Sequence, residues 1–244
     1  IPYLQRRLGQ REALVTRVLR TVAMGESQID EAIADLEASA NPTVGLSAHP
    51  GQTDVRIVAK AATQAEAEAL VAGFEATIRE RLGPAIYGTG EESFEEVLAG
   101  LLRARGVTLA VGETLTQGEL SRRLGAYPDV FCGGVVANDG PSLARLLQLD
   151  SGEWTGQAGA EALARALGPA CPWPAGAGPH TAYGLAVVGD GQAAPWVAVA
   201  GSDGAWSRPL RFRGLDRRAR SWTTTAALEF LRRLLLGLAE GWTG

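Results

Sequence analysis

The chain is expected to be an α/β protein in two parts: a small α+β domain, then a three-layer α/β domain. Three observations predict this. Residues 14–82 follow the pattern β-α-β-β-α. From residue 93 onward strands and helices alternate. Residues 130–137 (VFCGGVVA) form a nearly continuous apolar run, as in a strand buried on both faces.

Each element has a local reason. Residues 14–24 (LVTRVLRTVAM) alternate as a strand does. GESQIDEAIADLEA then reads as a helix with Ile29, Ile33 and Leu36 on one face, and Ser27 with Asp30 resembles a capping box. Asn41-Pro42 breaks the chain. Residues 43–48 are a strand, His49-Pro50-Gly51 the turn after it, and 55–59 (VRIVA) a half-buried strand. Residues 63–82 are amphipathic, with Ala67, Leu70, Phe74 and Ile78 on one side, and Gly83-Pro84 ends that helix. Residues 86–90 lead out of the first part.

In the second part Ser93 caps a helix with Phe94, Val97, Leu98, Leu101 and Leu102 as its apolar stripe. A strand at 107–111 meets a polar turn, 112–118 (GETLTQG), and a helix at 119–124. Residues 141–149 and 159–167 are helical, and a Pro/Gly/Ala loop follows. Strands are expected at 183–188, 195–200 and 206–212, and a long helix at 219–238 closes the chain. The expected divisions are a linker at 1–13, a first domain at 14–89 and a second at 90–244.

Composition excludes several function classes. The 244 residues are 46% hydrophobic and 20% charged, enough to bury a sizeable core. A net charge of −4 argues against a nucleic-acid or anionic-membrane surface. Two cysteines, Cys132 and Cys171, without a C-x-x-C pair predict neither a disulfide framework nor a zinc site, and Cys132 reads as a core residue. Two histidines are too few for a multi-histidine metal centre. No apolar run is long enough to span a bilayer and no signal peptide is evident, so a cytoplasmic location is expected. Neither a metal nor a cofactor is expected. Lys60 is the only lysine, which limits the chemistry available.

The most informative stretch is 108–125 (TLAVGETLTQGELSRRLG). A strand feeding a helix through a Gly- and Thr-rich turn places backbone N–H groups and hydroxyls at a helix N-terminus, which suits an anion or a developing negative charge. The same residues also make an ordinary helix cap. Both readings stand at this level.

Together the segments resemble the CinA family. LRTVAMGES, NPTVGLSAHPGQTDVRIVAKA and IRERLGPAIYG are similar to the KH-like middle domain of long CinA proteins. Residues 91–238 resemble the C-terminal CinA domain, whose family activity is nicotinamide-nucleotide amidohydrolysis. The first dozen residues resemble the exit from a preceding molybdopterin-binding-like domain. The family turn is close to A-E-S-C-T-G-G, with the serine as nucleophile. Here Glu113, Thr116 and Gly118 match, Thr114 replaces the serine, and Gln117 replaces a glycine. In the motif resembling G-G-V-V-A-Y-S-N-x-x-K, Asn138 stands for the tyrosine and Leu143 for the lysine that assists the nucleophile. The motif T-G-I-A-G-P, which precedes a strand, is matched in part by 174–179 through Ala177, Gly178 and Pro179. The motif G-D-R-x-x-V-R is echoed by Gly214 and Arg220, or by Asp216 and Arg217 after a one-residue shift.

The resemblance implies Thr114, Glu113 and Thr116 as catalytic positions. It implies Gly118, Asn138, Gly178, Arg217 and Arg220 as contacts to a pyridine nucleotide. Loss of the lysine implies weakened or lost deamidase activity, because a positioned base or acid is worth about 10²–10⁴-fold. A replacement site built from Thr114, His180 and Asp139 or Asp190 is an alternative. So is a non-catalytic nucleotide-binding or oligomerisation module. GESQIDEA lacks the G-x-x-G loop of nucleic-acid-binding KH domains, so the first domain reads as a structural or dimerising module. The tryptophans, Trp173 foremost, are candidates for a pocket or dimer contact, and a homodimer is expected.

Overall fold

The computed structural model describes residues 12–150, 152–169, 171 and 181–240. The chain divides into two compact units that meet between Ser93 and Phe94.

The first unit runs β1 (Ala13–Val22), α1 (Glu26–Glu37), β2 (Thr43–His49), β3 (Gln52–Ala61), α2 (Gln64–Leu82) and β4 (Ile86–Thr89). The strands form an antiparallel sheet of order β2-β3-β1-β4. β4 adds a strand that the sequence pattern did not predict; four residues are too few to display an alternation. The two helices bury Ile29, Ile33, Ala67, Val71, Ile78 and Leu82 against Val15, Leu19, Val55 and Ile57. On α2 the inward stripe passes through Val71, and Leu70 is exposed instead. The capping box expected of Ser27 and Asp30 falls elsewhere: Gly25 is the N-cap of α1, and its N–H donates to the Gln28 side chain. A full capping box joins Thr63 and Glu66 at the start of α2. Glu92 accepts from the Thr89 N–H, which ties residues 91–93 to the first unit.

The second unit contains α3 (Phe94–Arg105), β5 (Val107–Glu113), α4 (Glu119–Leu124), β6 (Phe131–Val136), α5 (Gly140–Leu146) and α6 (Gly156–Leu167). It continues with β7 (Thr181–Val188), β8 (Trp196–Gly201), β9 (Gly204–Pro209) and α7 (Arg217–Leu236). The sheet order is β6-β5-β7-β8-β9, parallel around β5 and antiparallel beyond β7. The expected three layers are present. Small residues on one face (Ala110, Ala186, Ala198, Ala200) meet Leu143, Ala160, Leu163, Ala164 and Leu167 of α5 and α6. The alternate residues (Leu109, Val111, Leu185, Val187, Val197, Val199) are also buried, on the face where α3 and α7 pack.

Two expectations are corrected. β6 is an edge strand, not one buried on both faces: Gly134 and Val136 are exposed. Its apolar run reflects close packing on α4, where a Cβ at Gly134 would fall 2.0 Å from Ser121 Oγ. Cys132 is half-buried and disulfide-bonded to Cys171, so it is no plain core thiol. A long sequence separation hides such a pairing from spacing arguments. Of the expected linker, residues 1–11 lie outside the described residues and Ala13 opens β1. Among the described residues no helix is long and apolar enough to cross a membrane.

The small face is used to its limit. A Cβ at Gly184 would lie 2.0 Å from the Ala164 carbonyl oxygen of α6. Gly184→Ala is therefore expected to lower unfolding stability by about 1–3 kcal/mol, the range for overpacking, measured by urea denaturation.

Candidate functional site

The chain leaves β5 through α4 to reach β6 on one side. It then returns through α5 and α6 to β7 on the other side of β5. The carboxyl end of β5 is thus a topological switch point, where α/β sheets open a crevice. Residues 114–118 lie there.

β5 is buried along its whole length and ends at Glu113, which is fully buried. The Glu113 carboxyl accepts four hydrogen bonds, two on each oxygen. Thr116 Oγ1 (2.6 Å) and the Leu120 N–H (3.2 Å) reach Oε2. The Ser121 N–H (3.0 Å) and Ser121 Oγ (2.6 Å) reach Oε1. The end of the strand therefore caps the helix that follows it. The amide donors that the sequence offered to an outside anion are used internally, and the helix N-terminal dipole favours the negative group placed there.

Thr114 is 1% exposed. Its hydroxyl donates to the Gly189 carbonyl (3.0 Å) and accepts from the Gly189 N–H (3.1 Å), while its own N–H donates to the Val187 carbonyl (3.1 Å). Its hydroxyl partners are backbone groups, with neither a base nor an acid among them. Thr116 is equally buried and its hydroxyl is held by Glu113. Gln117 and Gly118 both have positive φ, 51° and 89°. The turn is built for two glycines and carries one.

Two further segments converge on this turn. Residues 189–191 (Gly-Asp-Gly), between β7 and β8, supply the Gly189 contacts to Thr114. A Cβ at Gly191 would meet Leu215 at 2.8 Å, so this loop packs against the entry to α7. Asp216 caps α7 by accepting from the N–H groups of Arg218 (2.8 Å) and Ala219 (3.0 Å). Arg217 is the first residue of α7. Arg122 beside Glu119 holds the Glu119 carboxyl below the usual range, and Arg123 and Arg217 add to that effect. Arg220 is half-buried, and its buried Nε has no partner; nor do the hydroxyls of the fully buried Thr223 and Thr224. These three residues share one face of α7 by their i, i+3, i+4 spacing.

The remaining candidates separate. Asn138 is exposed just beyond β6. Asp139 caps α5 through the Ser142 N–H (2.7 Å), and Asp190 accepts from the N–H groups of Gln192 and Ala193. Each of these aspartates is thus bonded within its own turn. Gly178, His180, Trp173 and the whole of 174–179 lie outside the described residues. Among the described residues, the glycine loop that meets Thr114 is 189–191, which also precedes a strand. A Gly-Asp-Gly directly after an apolar strand was the signal for it. Leu143, at the lysine position of the resembling motif, is fully buried. Its side chain and that of Leu167 fill the space beside Gly112, where a Cβ would fall 3.1 and 2.9 Å from them. Among the described residues no group of three or more His, Cys, Asp or Glu is placed to hold a metal.

Two substitutions test this geometry. Glu113→Gln keeps one acceptor oxygen and leaves buried donors unpaired, so it is expected to cost about 2–4 kcal/mol in urea denaturation. Gln117→Gly removes a side chain from a left-handed position and is expected to raise stability by about 1 kcal/mol in the same assay.

Residues 16–88 match the family described as the damage-inducible protein CinA KH domain. A CinA-like protein of Frankia casuarinae is 37% identical over 255 residues, which cover 98% of this chain and 58% of that protein. A CinA-like protein of Dictyoglomus thermophilum is 34% identical, covering 91% of this chain and 57% of its own length. A crystal structure of a competence-damaged protein (CinA) superfamily member from Escherichia coli covers 58% of this chain at 17% identity, with a TM-score of 0.48. The chain thus spans a little over half the length of these two CinA-like relatives, and over that span it belongs to the CinA family.

Proposed function

We propose that the second unit is a catalytically silent form of the CinA amidohydrolase domain, whose nucleophile turn has become a structural joint. The observation that carries this reading is the state of Thr114. Its hydroxyl is buried and bonded on both sides to the Gly189 backbone. A hydroxyl nucleophile needs an adjacent base and an open line of attack. The position that resembles the family lysine is filled by buried Leu143.

A second reading is favoured by a separate observation. Arg220, Thr223 and Thr224 carry buried polar atoms without partners on α7, and the chain entering that helix packs against the 189–191 loop. Buried polar groups normally have partners, so these suit a phosphate-bearing nucleotide that is held without turnover. In both readings the unit does no hydrolysis.

The test is ammonia release from nicotinamide mononucleotide, beside a CinA-family member that retains the serine and lysine. No release above background is expected, and Thr114→Ser alone is expected to restore none. Turnover that Thr114→Ala abolishes would overturn the proposal. Calorimetry with the same nucleotide separates the two readings: heat of binding that is lost in Arg220→Ala supports retention of a ligand, and no heat supports the purely structural reading.

A further inference from the structure

We propose that Cys132 and Cys171 form a reversible thiol–disulfide switch that ties the edge strand β6 to the segment following α6. They are the only two cysteines in the sequence and lie 39 residues apart, yet the fold brings their Cα atoms to 5.6 Å. That is within the range of about 4.4–6.8 Å a disulfide requires.

The surroundings favour a switch over a permanent cross-link. β6 is held by hydrogen bonds on one side only, through β5. Its register slips at the cysteine: Leu109 pairs with Phe131 and Ala110 with Gly133, so Cys132 has no counterpart on β5. A bulge of this kind re-aims its side chain away from the regular ladder. Cys171 lies four residues past the last residue of α6, with its N–H donating to the Gly168 carbonyl (3.1 Å). α6 is firmly placed on β7 and β8, and Cys171 packs against that layer, so the bond joins an edge strand of the sheet to a well-packed layer. Both cysteines are half-buried, and exchange proceeds when a small thiol reaches one of the sulfurs. The other end of β6 walls the turn. The Ala137 N–H donates to the Glu113 carbonyl (3.0 Å), and Val136 lies 3.8 Å from where a Gly118 Cβ would stand. The redox state of one end of β6 therefore acts on the strand that borders the candidate site.

The chemistry balances with a small-molecule disulfide as oxidant. One cysteine thiolate attacks it, forming a mixed disulfide and releasing one small thiol. The second thiolate attacks the protein-side sulfur of that mixed disulfide, closing the Cys132–Cys171 bond and releasing the second small thiol. Two electrons pass to the oxidant, and the two cysteine protons end on the released thiols.

The test uses the whole chain in glutathione buffers running from fully oxidising to fully reducing. Thiol counting with mass spectrometry follows the bond, and hydrogen exchange follows residues 131–137. We expect two titratable thiols at the reducing end and none at the oxidising end. Oxidation should slow exchange at 131–137 by at least about tenfold, with Cys132→Ser matching the reduced protein at every buffer. Two free thiols at all buffers would overturn the proposal, as would a bond that persists at the reducing end. A bond that titrates while exchange in β6 stays unchanged would overturn the coupling and with it the proposal.

Discussion

The buried carboxyl of Glu113 is the point on which the second unit turns. It ends a strand with no exposed residue, and it gathers a hydroxyl and an amide onto each of its oxygens. An unpaired polar group at such depth would be costly, so the acceptor and its donors fix one another. That mutual requirement sets where α4 begins. It also sets the left-handed path through Gln117 and Gly118 and the depth of Ser121 against Gly134. β6 can approach so closely because Gly134 has no side chain.

On the proposed silent reading, the same geometry explains how an active-site architecture outlasts its reaction. The switch point at the carboxyl end of β5 still gathers three segments, the turn, the 189–191 loop and the entry to α7. Each of them now satisfies the others. Thr114 closes on Gly189, Gly191 on Leu215, and Asp216 on the first amides of α7. On α7, among the described residues, buried polar atoms of Arg220, Thr223 and Thr224 stay without partners on one face.

Much of this was legible in the sequence where a local rule decides. The β5-turn-α4 boundary follows from an apolar run, a Gly-Glu-Thr break and a short helix, and α2 follows from its period and its Gly83-Pro84 stop. Other features were not legible because their cause is tertiary. An apolar run reads alike in a strand covered on both faces and in an edge strand that rests on a helix, and β6 is the latter. A threonine in a turn has the same composition whether its hydroxyl faces a ligand or the neighbouring loop, so the fate of Thr114 needed the position of Gly189. Cys132 and Cys171 meet only because a bulge and a helix end coincide.

Leu143 makes the packing of the second unit hard to alter at that position. It sits fully buried among Ala110, Ala144, Leu163 and Leu167, beside a glycine on β5 that leaves it no spare volume. A lysine placed there now would have to bury its ammonium or push the helix outward, and either outcome is a large penalty for a marginally stable domain. A single exchange to lysine is therefore not tolerated without repacking. On the proposed reading, recovering a lysine here would require Leu143 and its neighbours to be repacked together.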